Sequence, residues 1–131
     1  MKNVLIIGGA SDIGLSFANY FKNLGYRVII GYHNSYHDNK DIIFIKCDIR
    51  SELEIENTIK RIINEYGSID ILINLASLSR DNSFLNKTKK EFMDVLETNL
   101  VGTFLCNQIY SRYISDGLII NMSSTDGIDT Y

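Results

Sequence analysis

Five short, mostly apolar runs recur along the chain, and each gives way to glycine or polar residues. The runs are Asn3–Ile7, Tyr26–Gly31, Ile42–Cys47, Ile69–Leu75 and Leu118–Ser123. Their length and continuous apolar character predict buried strands. Strands that are apolar on both faces are typical of parallel sheets with helices on both sides.

Helical spacing fills the longer intervals between these runs. The predicted helices are Ile13–Leu24, a helix that follows Ser51 and ends at Gly67, and a long helix from Thr88 to about Tyr113. Capping boxes open the last two, with Ser51 paired to Glu54 and Thr88 paired to Glu91. The interval from Tyr32 to Asp41 is short for a parallel crossover, so we expect a single helical turn there or none.

This alternation predicts an α/β protein, a doubly wound parallel sheet in three layers, which is a Rossmann fold. The length of 131 residues fits a single domain over 1–131. The net charge of −3 gives no expectation of binding to nucleic acid or to an anionic membrane. The apolar runs are too short to span a bilayer, and strand-like sequence from Asn3 leaves no room for a signal peptide, so we expect a cytoplasmic protein.

The two cysteines, Cys47 and Cys106, belong to no motif. One disulfide is an open alternative. Two buried free thiols in a reducing compartment are the favoured interpretation.

The stretch GGASDIG, from Gly8 to Gly14, stands between the first strand and the first helix. Unpaired N–H groups and a partial positive charge gather at a helix N-terminus, and glycines let a phosphate approach the backbone closely. A plain tight turn is the alternative. Its place after the first strand favours a dinucleotide pyrophosphate, and Asp12 is expected to cap the helix.

The same stretch resembles the G-x-x-x-G-I-G turn of the short-chain dehydrogenase/reductase family, with Asp12 in place of the middle glycine. Four further stretches are similar to family motifs in the same order. They are Asp48 after the third strand, Asn74-Leu75-Ala76-Ser77 where the family has N-N-A-G, Ser79–Phe104, and Gly117–Gly127. Within Ser79–Phe104, two short stretches are especially similar to the corresponding stretches of 3-oxoacyl-[acyl-carrier-protein] reductases of that family. They are Arg80-Asp81-Asn82 and Glu97-Thr98-Asn99-Leu100.

The resemblance implies an NAD(P)(H)-dependent oxidoreductase that reduces a carbonyl, possibly 3-oxoacyl, substrate to an alcohol. It implies coenzyme contacts from residues of the glycine turn and of the strand ends that follow it. These are Gly8, Ser11, Asp12, Ile13, Gly14, Tyr32, His33, Asp48, Ile49, Asn74 and Ala76. A homo-oligomer is also expected by resemblance, paired through the long helix that contains Asn99.

Two residues are expected by resemblance to be catalytic. Asn99 shares a helical stripe with apolar residues, so we expect it to be buried and hydrogen-bonded. It either bridges backbone groups in the core or anchors a water in a proton relay, and the resemblance favours the relay. Ser124 follows the fifth strand, where doubly wound sheets bind ligands, and is expected to hold the substrate carbonyl. Ser123 is the competing candidate.

The coenzyme form is predicted from the end of the second strand. An acidic residue about 20 positions after the glycine turn would hold the ribose hydroxyls of NAD. Tyr32, His33 and Asn34 stand there instead, and neither an acid nor an arginine is present. Ser11 and His33 are possible neutral donors, so NADP is favoured over NAD.

Other polar groups are given plainer interpretations. His33 and His37 lie four apart in a polar connection, without the carboxylate or cysteine cluster of a metal site, so no metal is expected. Lys87, Lys89 and Lys90 are expected to be ordinary helix-start surface, although a patch for an acidic carrier protein is conceivable.

The family's Tyr-x-x-x-Lys pair does not follow Ser124 at the expected spacing, and Tyr131 is only seven residues beyond it. We therefore expect a domain incomplete at its C-terminus, lacking the last strands and helices, and inactive by itself. The alternative function is a non-catalytic dinucleotide-binding or regulatory module. A sugar-nucleotide epimerase is disfavoured, because Ser11 breaks the G-x-x-G-x-x-G pattern of that branch.

Overall fold

A computed structural model describes residues 1–125 and 128, and its centre is a five-stranded sheet. The strands are β1 (Asn3–Ile7), β2 (Arg27–Tyr32), β3 (Ile42–Lys46), β4 (Ile71–Asn74) and β5 (Leu118–Asn121). They lie in the order β3-β2-β1-β4-β5, and every neighbouring pair is parallel. The predicted doubly wound sheet is confirmed.

Helices lie on both faces of this sheet. They are α1 (Asp12–Asn23), α2 (Glu52–Tyr66), α3 (Lys89–Leu96) and α4 (Thr103–Tyr113), with a π-helical segment (Glu97–Gly102) between α3 and α4. Residues 33–41, which join β2 to β3, contain no helix. The expectation from the length of that link is confirmed.

Alternate residues of the central strand pack into two separate cores. Leu5 and Ile7 of β1 belong to the cluster that contains residues of α2 and α4. Val4 and Ile6 belong to the cluster on the other face, with Ala18 of α1. Burying one such aliphatic side chain stabilises the fold by about 1.5–3 kcal/mol as an upper estimate. Both faces of β1 are therefore buried, which is why its residues do not alternate between apolar and polar.

Several predicted bounds were wrong at the ends of elements. The fourth strand is shorter than Ile69–Leu75, and the fifth ends at Asn121 rather than Ser123. The strand predicted to start at Tyr26 starts one residue later, and the third ends at Lys46 rather than Cys47. Tyr26, Cys47, Ile69 and Leu75 lie outside the ladders but still pack against the cores, so the apolar runs extend past the strands there. Met122, after the fifth strand, is 53% exposed and packs in neither core.

Two helix predictions also need correction. The N-cap of α1 is Ser11, whose hydroxyl accepts from Gly14 N–H, so Asp12 is the first helical residue and not the cap. The long helix from Thr88 to Tyr113 is interrupted by the π-helical segment, which one-face periodicity could not reveal.

Cys47 and Cys106 are both buried free thiols, as the favoured interpretation predicted. Among the helices of residues 1–125, none combines the length and the apolar character that crossing a bilayer requires.

Candidate functional site

The candidate site lies along the carboxyl ends of the strands, where β1 separates β2 on one side from β4 on the other. The chain leaves β1 and β4 toward opposite faces at this point, which opens a crevice. Gly8 follows β1 and Ala76 follows β4, and the two meet across the crevice. A Cβ on Gly8 would lie 2.5 Å from the Ala76 nitrogen.

The glycine turn is shaped by close backbone approach and by one hydroxyl. Gly8 has φ of 77°, a left-handed conformation that favours glycine. A Cβ on Gly14 would lie 2.3 Å from the Gly9 Cα, so the first turn of α1 packs directly on the loop. The Ser11 hydroxyl donates to Gly8 O at 3.1 Å and accepts from Gly14 N at 3.1 Å. Its proton is therefore used within the turn.

One end of the crevice is built around Asp48, directly after β3. Arg50 donates to this carboxylate through Nε at 3.1 Å and Nη2 at 2.8 Å, and through its backbone N–H at 3.0 Å. His33 Nε2 lies 3.4 Å from Asp48 Oδ2. The hydrogen bond from the Arg50 side chain holds the pKa of Asp48 below its usual value, against a smaller opposing effect of burial. Ile49 packs behind this group, with its Cδ1 against Gly102.

Three asparagines meet at the other end of the crevice. Asn74 Nδ2 donates to Asn107 Oδ1 at 2.6 Å and to Asn121 Oδ1 at 2.8 Å. Asn107 Nδ2 donates to the same Asn121 oxygen at 3.3 Å. Asn74 is only 6% exposed, and within the described part of the chain its Oδ1 has no hydrogen-bond partner. An unsatisfied buried acceptor costs about 1–3 kcal/mol, so the unpaired Oδ1 of Asn74 lowers the stability of the fold.

Asn99 lies in the π-helical segment and holds the loop that follows β4. Its Oδ1 accepts from Leu78 N–H at 2.7 Å, and its Nδ2 donates to Leu78 O at 2.9 Å. Its own carbonyl accepts from the Thr103 hydroxyl at 2.9 Å. Asn99 is hydrogen-bonded as expected, but it is exposed and not buried. The apolar stripe that it was expected to share is itself not buried in the described chain, since α3 has no buried residue and Phe92 is 55% exposed.

Three cavities follow one another along the crevice. The first, about 140 Å³, is lined by Asp48, Ile49 and Arg50. The second, about 640 Å³, is lined by Ser11, Asp12 and Ile13 of the glycine turn and shares His33, Ala76 and other residues with the first. The third, about 270 Å³, contains Asn74, Asn99, Ser123 and Ser124 and shares Ala76 with the second.

Most of the predicted site residues are thus brought to one crevice. Two of them, Gly14 and Tyr32, line none of the three cavities. Gly14 packs closely on Gly9, and the Tyr32 ring centroid lies 4.5 Å from that of Tyr36. Asp126, Gly127 and Tyr131, which the sequence motifs included, lie outside the described residues. Tyr36 and Lys40 have Tyr-x-x-x-Lys spacing, but they precede β3 at the opposite edge of the sheet from Ser124.

Sequence reasoning missed Arg50 and Leu78. Arg50 lies far along the chain from the end of β2, on which the coenzyme prediction rested, whereas the sheet order places the residues after β3 beside that strand end. The spacing Asp48-x-Arg50 was the available signal. Leu78 acts through its backbone, for which the sequence holds no signal. Among the residues that the structure describes, no group of three or more metal-ligating side chains occurs.

Proteins of similar sequence match almost the whole of this chain. The 3-oxoacyl-[acyl-carrier-protein] reductase FabG of Staphylococcus aureus is 30% identical over 140 residues, covering 96% of this chain and 57% of that protein. An uncharacterized oxidoreductase of Thermotoga maritima is 27% identical, covering 95% and 54%. The chain therefore spans little more than half the length of these relatives.

Solved structures give the same result. A short chain dehydrogenase of Leptospira borgpetersenii with bound NAD⁺ superposes with a TM-score of 0.92 at 31% identity, covering 99% of this chain and 54% of that one. ElxO with NADP bound superposes with a TM-score of 0.89 at 29% identity, covering 99% and 58%. The sequence profile of the short chain dehydrogenase family matches residues 2–131. The chain belongs to the short chain dehydrogenase family.

Proposed function

We propose that this chain forms the coenzyme-binding part of an NAD(P)(H)-dependent oxidoreductase that reduces a carbonyl compound to an alcohol. The observation that carries the proposal is the row of three adjoining cavities along the strand ends. An extended dinucleotide fits such a row, with adenosine beside Asp48, pyrophosphate at the glycine turn and the reacting ring near Asn99 and Ser124.

The residues present fit a dinucleotide. The turn offers bare backbone where a Cβ on Gly8 or Gly14 would clash, and it leads into a helix N-terminus that favours phosphate. Asp12 is the acidic side chain of the turn; it is exposed and lines the second cavity, so its charge opposes the helix N-terminus there. When bound, the nicotinamide ring would supply or accept the hydride.

NADP is the coenzyme form that the charges favour. No acid stands at the end of β2 to repel a 2′-phosphate, and His33 and Arg50 meet beside the first cavity. Asp48 carries a negative charge there, but Arg50 compensates it directly. A 2′-phosphate would therefore meet a site without net negative charge.

Two residues at the third cavity would take part in the reaction. Ser124 would orient the substrate carbonyl oxygen by a hydrogen bond, with Ser123 as the neighbouring alternative. Asn99 would fix the loop at Leu78 and anchor a relay water beside the third cavity. No Tyr-x-x-x-Lys follows Ser124 within the 131 residues, so we expect negligible turnover from these residues alone.

The substrate we propose is a 3-oxoacyl thioester. The FabG relatives support this class, and the words around Arg80 and Asn99 resemble theirs. An alternative occupant of the third cavity would be a smaller ketone, for which the relatives give less support.

We also propose that the protein forms a homo-oligomer. The helix that carries Asn99 exposes apolar side chains in the described chain, and these are Phe92, Met93, Leu100, Val101 and Phe104. Exposed apolar patches on one helix mark interaction surfaces. Light scattering coupled to gel filtration tests this, and a monomer at micromolar concentration would contradict it.

Coenzyme titration tests the proposed function. Isothermal calorimetry with the purified protein should detect NADP⁺ and NAD⁺, with NADP⁺ tighter by about tenfold, or 1.4 kcal/mol. Gly14→Ala should weaken both, and Ser16→Ala on the exposed side of α1 should weaken neither. Absence of binding for both coenzymes would overturn the proposal. Oxidation of NADPH by a full-length form with a 3-oxoacyl thioester, compared with the 131-residue chain, then tests the substrate class and the expected inactivity.

A further inference from the structure

The second cavity, at the glycine turn, contains a negative charge and little to balance it. Asp12 lines this cavity together with Ser11 and Ile13. The described residues that line it include neither lysine nor arginine, and the imidazole of His33 faces Asp48 at 3.4 Å. If the chain binds a dinucleotide as proposed, the pyrophosphate lies at this turn. The following inference rests on that proposed coenzyme binding.

The Asp12 carboxylate is not used within the turn. The Ser11 hydroxyl caps α1 by accepting from Gly14 N, so the carboxylate beside it makes no capping bond. No described residue donates a hydrogen bond to Asp12 or forms an ion pair with it, and its side chain is exposed. The carboxylate is therefore available to a ligand in the second cavity.

The charge of Asp12 opposes the phosphate that the turn would otherwise attract. An acidic side chain in the first turn of α1 stabilises the helix, because the N-terminus has a partial positive charge. The same partial charge is what draws a phosphate to a helix N-terminus. A pyrophosphate at the turn would lie close to the carboxylate, and like charges repel more strongly where water is displaced. A cation bound between the two would replace this repulsion by attraction.

The ligands around such a cation would identify it. Carboxylate and phosphate oxygens are hard ligands, which suit Mg²⁺. Nucleotide-bound Mg²⁺ is typically held by one or two carboxylates and the phosphates, and it keeps several waters. Because Asp12 is exposed, water can complete the coordination. The described residues contain no group of three or more metal-ligating side chains, so this site would be complete only with the coenzyme present.

We propose that the chain binds its coenzyme together with one Mg²⁺ ion, which Asp12 holds against the pyrophosphate at the second cavity. The ion and the coenzyme bind as a pair, because each completes the site of the other. Asp12 is thus a binding residue that makes the affinity for the coenzyme depend on a divalent cation.

Calorimetry with NAD⁺ tests this on the purified protein, since NAD⁺ lacks the 2′-phosphate that would bind Mg²⁺ by itself. Titrations in MgCl₂ and in EDTA, with the ionic strength matched by NaCl, should differ by about tenfold in affinity. Equal affinities in the two solutions would overturn the inference while leaving the proposed function intact. If neither NAD⁺ nor NADP⁺ binds in either solution, the proposed function fails as well.

Two variants locate the effect. Asp12→Asn keeps the size of the side chain and removes its charge, so NAD⁺ in EDTA should bind it more tightly than it binds the wild type. Mg²⁺ should then change the affinity by less than about twofold. Glu52→Gln is the matched control and should keep the full response to Mg²⁺. Glu52 is also the exposed first residue of a helix after a serine cap, and it lines none of the three cavities. A full response in Asp12→Asn, with its thermal unfolding unchanged, would overturn the role of Asp12.

Mn²⁺ detects the metal site directly, because it is paramagnetic and prefers the same oxygen ligands as Mg²⁺. Electron paramagnetic resonance should show Mn²⁺ bound to the wild type when NAD⁺ is present, and not when NAD⁺ is absent. Asp12→Asn should bind no Mn²⁺ in either condition. Equal binding of Mn²⁺ by the wild type and by Asp12→Asn would contradict the proposed ligand.

Discussion

The side chain of Asn99 closes a two-bond bridge with the backbone of Leu78, accepting from its N–H at 2.7 Å and donating to its C=O at 2.9 Å. Leu78 lines both the first and the second cavity, whereas Asn99 lines the third. One amide therefore ties the proposed reacting end of the crevice to the wall of the coenzyme cavities.

Asn99→Ala should remove both bonds at once. Since a hydrogen bond contributes about 0.5–1.5 kcal/mol, the free energy of unfolding should fall by about 1–3 kcal/mol. The loop at Leu78 would lose its anchor, so coenzyme affinity should fall too. Urea unfolding and calorimetry measure the two effects. Asn64→Ala on α2 is the control, and an equal response of both variants would contradict the bridge.

Gly14→Ala should destabilise the protein although it improves helix propensity. The new Cβ would lie 2.3 Å from the Gly9 Cα. Because Gly9 contacts it through backbone atoms, no flexible side chain can move aside to relieve the clash. Overpacking of this kind costs about 1–3 kcal/mol. Thermal unfolding should therefore show a lower midpoint than wild type. Ser16→Ala, at an exposed position of the same helix, should not lower it, and a Gly14→Ala midpoint at or above wild type would refute the contact.

The thiols should be unreactive in the folded protein. Burial raises the pKa of Cys47 to about 11, partly offset by its hydrogen bond with Thr58, and raises that of Cys106 to about 12. An unfolded thiol ionises near pH 8.5. At pH 8 both should resist a thiol reagent such as DTNB and should react fully in denaturing urea. Rapid labelling of either thiol without urea would contradict the burial.

The same two thiols predict alkaline destabilisation. Their folded pKa values are raised, so the stability that they contribute is complete below pH 8.5 and is lost as pH rises toward 11–12. Cys47→Ala with Cys106→Ala should flatten the decline of unfolding free energy between pH 8.5 and 10.5 relative to wild type. An identical slope in both proteins would count against this.

Asp48 should contribute stability that depends on pH in the opposite sense. Its pKa is lowered, chiefly by Arg50, so its contribution is present above about pH 3.9 and is lost as pH falls below that value. Because both side chains are partly exposed, we expect about 1 kcal/mol or less. Asp48→Asn should be less stable than wild type at pH 7, and this deficit should shrink steadily as pH falls below about 3.9. Asp38→Asn, exposed in the link between β2 and β3, is the control. A deficit that stays constant as the pH is lowered would contradict the ion-pair origin.

Sequence patterns predicted the sheet well because its inner strands are buried on both faces. Val4, Leu5, Ile6 and Ile7 are apolar in succession because both faces of β1 are buried. The capping prediction at Ser51 was half right. Its hydroxyl accepts from Glu54 N–H, but the Glu54 carboxylate reaches past it to the Asp48 N–H at 3.3 Å. The cap residue can be predicted from the local sequence. The partner of the Glu54 carboxylate cannot, because it depends on the path of the loop before the helix.

The sequence allowed most residues of the candidate site to be predicted, but not the contacts between them. Asn99 was expected to be buried, because a regular helix would place it on the apolar stripe. That stripe is not buried in the described chain, because α3 has no buried residue, and the spacing of apolar residues does not show whether another element covers them. No residue pattern marks the π turn from Glu97 to Gly102. Arg50 was missed because proximity to His33 is created by parallel pairing of β2 with β3, not by sequence distance.

The aromatic contacts of the link between β2 and β3 bear on how the sheet opens. The Tyr36 ring stacks on Phe44 of β3 with centroids 4.3 Å apart and planes 18° apart, in a connection that has no helix. An edge strand covered by rings rather than by a helix can detach without separating an entire layer. Amide hydrogens of β3 should therefore exchange with deuterium well before those of β1. The earliest step of native-state opening would expose the flank of the crevice that contains Asp48, while α1, α2 and the inner strands stay in place.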